Sequence, residues 1–138
     1  MDTVVIERKL ESLRRCIARL ESKRPASVPT LTQDPDLQDI LVLNLTRAVQ
    51  LCVDIGSHLI TESEQTVPGT MGEVFSLMAN QGIIDENTAT AMRKAVGFRN
   101  IAIHNYRAVD WAIVHAICHH QLDDFKAFAR RIIDHCEL

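Results

Sequence analysis

Residues 97–106 read G-F-R-N-I-A-I-H-N-Y, an apolar helical background carrying Arg99, Asn100, His104, Asn105 and Tyr106. Imidazole exchanges a proton near neutral pH, and a guanidinium stabilises charge on phosphate oxygens. Together they are sufficient to cleave RNA without a metal. The imidazole takes the proton of a ribose 2′-hydroxyl, which attacks the adjacent phosphorus while the guanidinium steadies the anionic transition state. DNA lacks that hydroxyl, so the same chemistry would spare it. On a regular helix, positions five apart lie about 140° around the axis, so Arg99 and His104 do not share a face. Asn100 and His104, four apart, do share one, and Asn100 can orient the imidazole. Either Arg99 bends around its helix or the site is assembled from two chains.

The elements that must position these groups are helical. The chain has 138 residues, 46% of them hydrophobic, with 5 Gly and 4 Pro. That length fits one domain, residues 1–138, and that balance favours long helices over strands and turns. Ile6, Leu10, Leu13, Ile17 and Leu20 recur as an amphipathic stripe from Val5 to about Arg24. Pro25 and Pro29 end it, and a polar loop is expected after them. Asp34 before Pro35 is a helix start, an N-cap carboxylate followed by proline where no amide hydrogen is required. The helix from there to Leu59 is apolar on more than one stripe, so it is either central in its bundle or covered by a second copy. Thr61–Gly69 reads as a loop, and Thr70 with Glu73 as a capping box opening a short helix that stops near Gly82. Asp85 caps the next helix, with Gly97 a candidate bend before Arg99–Asn105. Asp110 caps a last helix whose inner face holds Val114, Ile117, Leu122, Phe125, Phe128 and Ile132. The expected fold is all-α: an antiparallel bundle of four long helices plus shorter ones.

Charge is unevenly spread around a net −3. No acidic residue falls between Glu86 and Asp110, while Arg93, Lys94, Arg99 and Arg107 do. A polyanion can be held by such a window although the whole molecule is acidic, and a solvated basic helix face is the plainer alternative. The opening MDTVVIERKL places charges inside its apolar run, unlike a signal peptide, and charges break the longer apolar stretches, so a cytoplasmic protein without membrane contact is expected. Cys16, Cys52, Cys118 and Cys136 are scattered without a C-x-x-C pair and read as buried or idle thiols.

The run Arg99-Asn100-Ile-Ala-Ile-His104-Asn105-Tyr106 resembles the R-x4-H-x-Y signature of the HepT-type toxins of the HEPN superfamily, and helical layout and length are similar across nearly the whole chain. The resemblance implies a homodimeric, metal-independent endoribonuclease toxin that needs no cofactor. It also implies a cognate minimal nucleotidyltransferase antitoxin that adenylylates the motif tyrosine. Carried over, Arg99 and His104 are catalytic, Asn100 is a polar supporter, and Tyr106, the chain's single tyrosine, is the acceptor. Two other classes remain open: a non-catalytic nucleotide- or protein-binding helical module, or a substrate-binding subunit of a nucleotidyltransferase.

Two further pairs have helical spacing. Asp54 and His58 lie four apart on the apolar second helix, where Asp54 either supports the catalytic cleft or makes a satisfied internal hydrogen bond. His115 and His119 have a spacing that can clamp a metal. No Glu lies between them in the H-E-x-x-H manner, so they read as solvated or core histidines and no metal site is expected.

Overall fold

The computed structural model describes residues 3–63 and 68–138. Among these the chain forms seven α-helices: α1 (Thr3–Lys23), α2 (Val28–Thr32), α3 (Pro35–Ser63), α4 (Met71–Asn80), α5 (Glu86–His104), α6 (Trp111–His120) and α7 (Leu122–Cys136). A 3-10 turn, Tyr106–Ala108, joins α5 to α6, and no strand occurs among the described residues. The long helices α1, α3, α5 and α7 make the expected antiparallel bundle, with α3, at 29 residues, packed against both α1 and α5.

Local chemistry sets most boundaries. The Asp34 carboxylate accepts from the Leu37 amide at 3.1 Å and starts α3. Thr70 Oγ1 accepts from Glu73 N at 3.2 Å to start α4, while the Glu73 carboxylate accepts from the Gly69 amide, one residue outside the cap. Asp85 and Asp110 cap α5 and α6 through the Thr88 and Ala112 amides. Gln81 and Gly82, the latter at φ +75°, close α4, a left-handed turn that glycine adopts without strain.

Four expectations need correction. Pro25 and Pro29 do not open a featureless loop: Ser27 caps the short α2, Pro29 sits in its first turn, and Leu31 is fully buried. Thr61–Ser63 continue α3 because no breaker precedes Pro68; positions 64–67 of the expected loop lie outside the described residues. The α5 helix runs unbroken through Gly97. The last helix is two, parted at Gln121, whose backbone leaves helical geometry at φ −120° and ψ 2°.

The core gathers Ile6, Leu13 and Leu20 of α1, Leu41, Leu45 and Ile55 of α3, Phe75 and Met78 of α4, Met92 of α5 and Phe128 of α7. Burying each such side chain contributes about 1.5–3 kcal/mol. Phe75 and Phe128 meet edge to face with centroids 5.8 Å apart, tying α4 to α7. The segment Pro35–Ile60 is long and apolar enough to cross a membrane by composition, a longer stretch than the sequence suggests; in the fold most of its apolar residues line this core. Cys16, Cys52 and Cys118 are buried and Cys136 is half-buried. Burial pushes the Cys52 and Cys118 thiols above their ordinary range, to about 11 for Cys118.

Two helical glycines behave oppositely. A Cβ on Gly56 would lie 2.6 Å from both Met78 Sδ and Val74 Cγ1, so α4 approaches α3 where glycine leaves room. A Cβ on Gly97 would meet nothing within 4 Å. Gly56→Ala should lower the unfolding free energy by about 1 kcal/mol, overpacking outweighing the gain in helix propensity. Gly97→Ala should raise it by up to about 1 kcal/mol. Denaturant titration of both variants checks the pair of signs, and a Gly97→Ala loss would show that α5 needs to bend there.

Candidate active site

Arg99 turns inward from α5 toward α3. Its Nη2 donates to Gln50 Oε1 at 3.2 Å, and its Nη1 donates to the Asn100 carbonyl oxygen at 3.3 Å. Gln50 in turn donates from Nε2 to Asp54 Oδ1 at 2.9 Å, which fixes its amide so that the oxygen faces Arg99. The other Asp54 oxygen is 3.6 Å from Lys9 Nζ. A chain Lys9–Asp54–Gln50–Arg99 therefore crosses from α1 over α3 to α5 and holds the guanidinium half-buried. Arg99 Nε is buried and has no hydrogen-bond partner among the described residues. Each Nη keeps a second N–H beyond these two contacts, a donor of the kind a phosphate oxygen accepts.

His104 is the last residue of α5 and is exposed. No hydrogen bond joins it to Arg99 or Asn100 among the described residues; Asn100 offers its carbonyl to Arg99 instead. One chain thus places Arg99 against α3 and His104 at the solvent-facing helix end, as their spacing requires. Ile101 and Ile103, in the same last turns of α5, are also exposed.

Tyr106 follows two residues later in the 3-10 turn. Its hydroxyl donates to Asp39 Oδ1 of α3 at 2.6 Å, and its ring meets Trp111 edge-on at 5.8 Å. Burial first, then the hydrogen bond to Asp39 and the negative charge of that carboxylate, push the phenol well above its ordinary value. Ring packing and solvent access coexist here, since the residue remains 39% exposed.

Sequence reasoning missed Gln50 and Asp39, which lie 49 and 67 residues from their partners. A pattern of polar residues on the otherwise apolar α3 was the available signal. Within the basic window of residues 93–107 not every cation is free for a polyanion. Arg93 is engaged by Glu86 at 2.9 Å, by Thr90 and by Ser76 of α4, so it clamps α5 to α4. His115 and His119 stack with ring centroids 4.3 Å apart, and His119 Nε2 lies 2.7 Å from the Pro25 carbonyl. Among the described residues no group of three or more His, Cys, Asp or Glu side chains is placed to hold a metal ion.

The single tyrosine makes one prediction direct. Spectrophotometric titration of the folded protein should show the phenol ionising above the ordinary value of about 10, with Asp39→Asn bringing it down. The native state keeps this proton more tightly than the unfolded chain. Its stabilising contribution is therefore full below about pH 10 and is lost as pH climbs toward the folded value. A wild-type midpoint at the ordinary value would break the assigned Tyr106–Asp39 contact.

Comparison with known proteins matches both the fold and the sequence along nearly the whole chain. Residues 13–132 match the family described as Ribonuclease HepT-like. The mRNA nuclease HepT of Shewanella oneidensis is 32% identical over 128 residues, spanning 93% of this chain and 95% of that protein. A solved structure of a tri-AMPylated HEPN toxin of S. oneidensis in complex with MNT antitoxin superposes with TM-score 0.87 at 31% identity, covering 97% of this chain and 99% of that one. The cytosolic protein YutE of Bacillus subtilis shares the fold at TM-score 0.86 and 16% identity, over 99% and 92% of the two chains. Because the matched span contains the whole run from Gly97 to Tyr106 and the helices agree along nearly the full length, this chain belongs to the HepT-like ribonuclease family.

Proposed function

We propose that the chain is the toxin of a toxin–antitoxin pair, a cytoplasmic, metal-independent endoribonuclease that acts as a homodimer. The observation that carries this reading is the Arg99 guanidinium, held by Gln50, itself fixed by Asp54, on the same helix as an exposed His104. Neutral His104 takes the 2′-hydroxyl proton, the 2′ oxygen attacks phosphorus, and Arg99 stabilises the charge gathering on the phosphate oxygens. The bond to the 5′ oxygen breaks, leaving a 2′,3′-cyclic phosphate and a 5′-hydroxyl end. Arg99 and His104 sit about 140° apart on one helix, so a second copy supplies the complementary groups in a shared cleft, including an imidazolium to protonate the leaving oxygen. The exposed Ile101 and Ile103 of the last turns of α5 favour that covering. Asn100 keeps the guanidinium plane in place, and Asp54 acts through Gln50.

Neutralisation follows from the tyrosine. A nucleotidyltransferase antitoxin, as in the Shewanella complex, transfers adenylate from ATP to Tyr106: the phenol oxygen bonds to the α-phosphorus, pyrophosphate leaves, and the phenol proton passes to a base. Tyr106 is two residues from His104, so the added nucleotide puts bulk and negative charge where the RNA phosphate must lie.

Expression of the wild-type chain should arrest growth, and His104→Ala should relieve it, with RNA cleavage in vitro falling about 10²–10⁴-fold. An RNA carrying 2′-deoxyribose at the scissile position should resist cutting. Cleavage of that substrate at the normal rate would rule out 2′-hydroxyl attack. With ATP and the antitoxin, intact-mass measurement should show adenylate on the wild type and none on Tyr106→Phe; equal gain on both would move the acceptor elsewhere.

A further inference from the structure

Between α1 and α3 runs an open groove of about 680 Å³, within the roughly 300–1,000 Å³ typical of ligand clefts. Ser12, Arg15 and Arg19 line it from α1, and Asn44, Arg47 and Gln50 from α3. We propose that this groove holds the sugar-phosphate backbone of a single-stranded stretch of the RNA substrate, next to the phosphate bound at Arg99. The inference rests on the ribonuclease reading of the site and adds to it a second contact region.

Helical spacing puts the arginines in line. Arg15 and Arg19 are four apart on α1 and so share a face, about 6 Å apart along the axis. Arg47 precedes Gln50 by three residues on α3, about 4.5 Å along that axis. Gln50 is both a wall of the groove and the acceptor for Arg99, so the groove runs directly into the candidate active site. The charges in it are largely uncommitted. Arg19 and Arg47 make no side-chain hydrogen bond or ion pair among the described residues. Arg15 is 3.4 Å from Glu11, a carboxylate that Arg14 holds at 2.7 and 2.9 Å and that is drawn down to about 2, chiefly by that hydrogen bond. The one acid lining the groove, Asp54, is already matched by Lys9 and Gln50.

Three cations lining one groove are complementary to a polyanion. A furrow between two packed helices, with axes typically about 8–10 Å apart, fits one strand rather than a duplex. No groove residue is aromatic, and the apolar ones, Ile40, Leu43 and Leu51, offer no stacking platform. Recognition here is of backbone charge, with little preference for base identity.

The test uses the full-length His104→Ala protein, which binds RNA without cutting it, and a fluorescent 20-nucleotide single-stranded RNA read by anisotropy across a salt series. Adding Arg19→Ala and Arg47→Ala should raise Kd about tenfold and make the slope of log K against log salt shallower by about 1.4, at about 0.7 for each phosphate no longer neutralised. Arg19→Lys with Arg47→Lys keeps the charges and should retain most of the slope, whereas Arg130→Ala on α7 should not move it. In the cleaving protein, the same double alanine variant should lose more activity on the 20-mer than on a dinucleotide. An unchanged Kd and slope overturns the proposal. So does intact RNA affinity accompanied by loss of self-association or of antitoxin binding, which would make the groove a protein interface. If the wild type cuts no RNA while the arginine-dependent salt slope persists, the groove stands and the ribonuclease reading falls.

Discussion

Removing α3 from water is the constraint that organises this molecule. Its 29 residues are apolar on more than one stripe, so no single neighbour can cover it. The chain responds by laying α1, α4 and α5 around it, with α2 and α6 closing the remaining side. Gly56 marks how tight the arrangement is, because α4 approaches α3 at a point where even a methyl group meets two side chains. Three of the polar residues that α3 does carry, Asp39, Gln50 and Asp54, receive groups from α1, α5 and the 3-10 turn. Core formation and site formation are thus consequences of the same helix packing.

That packing divides the motif into a fixed part and an accessible part. Arg99 lies where α5 crosses α3, so its guanidinium is anchored through an amide and a carboxylate and is half-buried. A phosphate-binding cation benefits from such anchoring, since its rotamer freedom is restricted before the ligand arrives. His104 and Tyr106 come later, one at the helix end and one in the following turn. Both reach solvent, which the proposed roles of general base and nucleotide acceptor require. Five residues of helix separate the anchored role from the accessible ones.

What the sequence made legible was whatever local chemistry determines. The α1 stripe, the caps at Asp34, Thr70, Asp85 and Asp110, and the run from Arg99 to Tyr106 were all readable because each rests on neighbours within about one helical turn. The α2 helix was hidden because proline reads as a breaker unless its place in a first turn is recognised. The break at Gln121 has no glycine or proline; its signal was charge, with His119 and His120 ending one helix and Asp123 and Asp124 opening the next, each suited to the local dipole. Asp54 was read with His58 by spacing, while the fold gives it Gln50 and Lys9, one of them from another helix. The basic window looked continuous in one dimension, yet Arg93 faces Glu86 and Ser76, and unmatched positive charge gathers instead between α1 and α3. Partners that lie tens of residues away leave no local pattern.

The Tyr106–Asp39 contact shows how the fold links the two states of such a site. In the free chain the phenol donates its proton to the carboxylate, and the ring leans on Trp111, so the turn after α5 is tied to the start of α3. Esterifying that oxygen removes the one proton it can donate and sets a phosphodiester charge against Asp39. A hydrogen bond becomes a repulsion between like charges at close range, and the contact cannot survive. On the proposed assignment of Tyr106 as the acceptor, modification would therefore release the turn beside His104 as well as add bulk there.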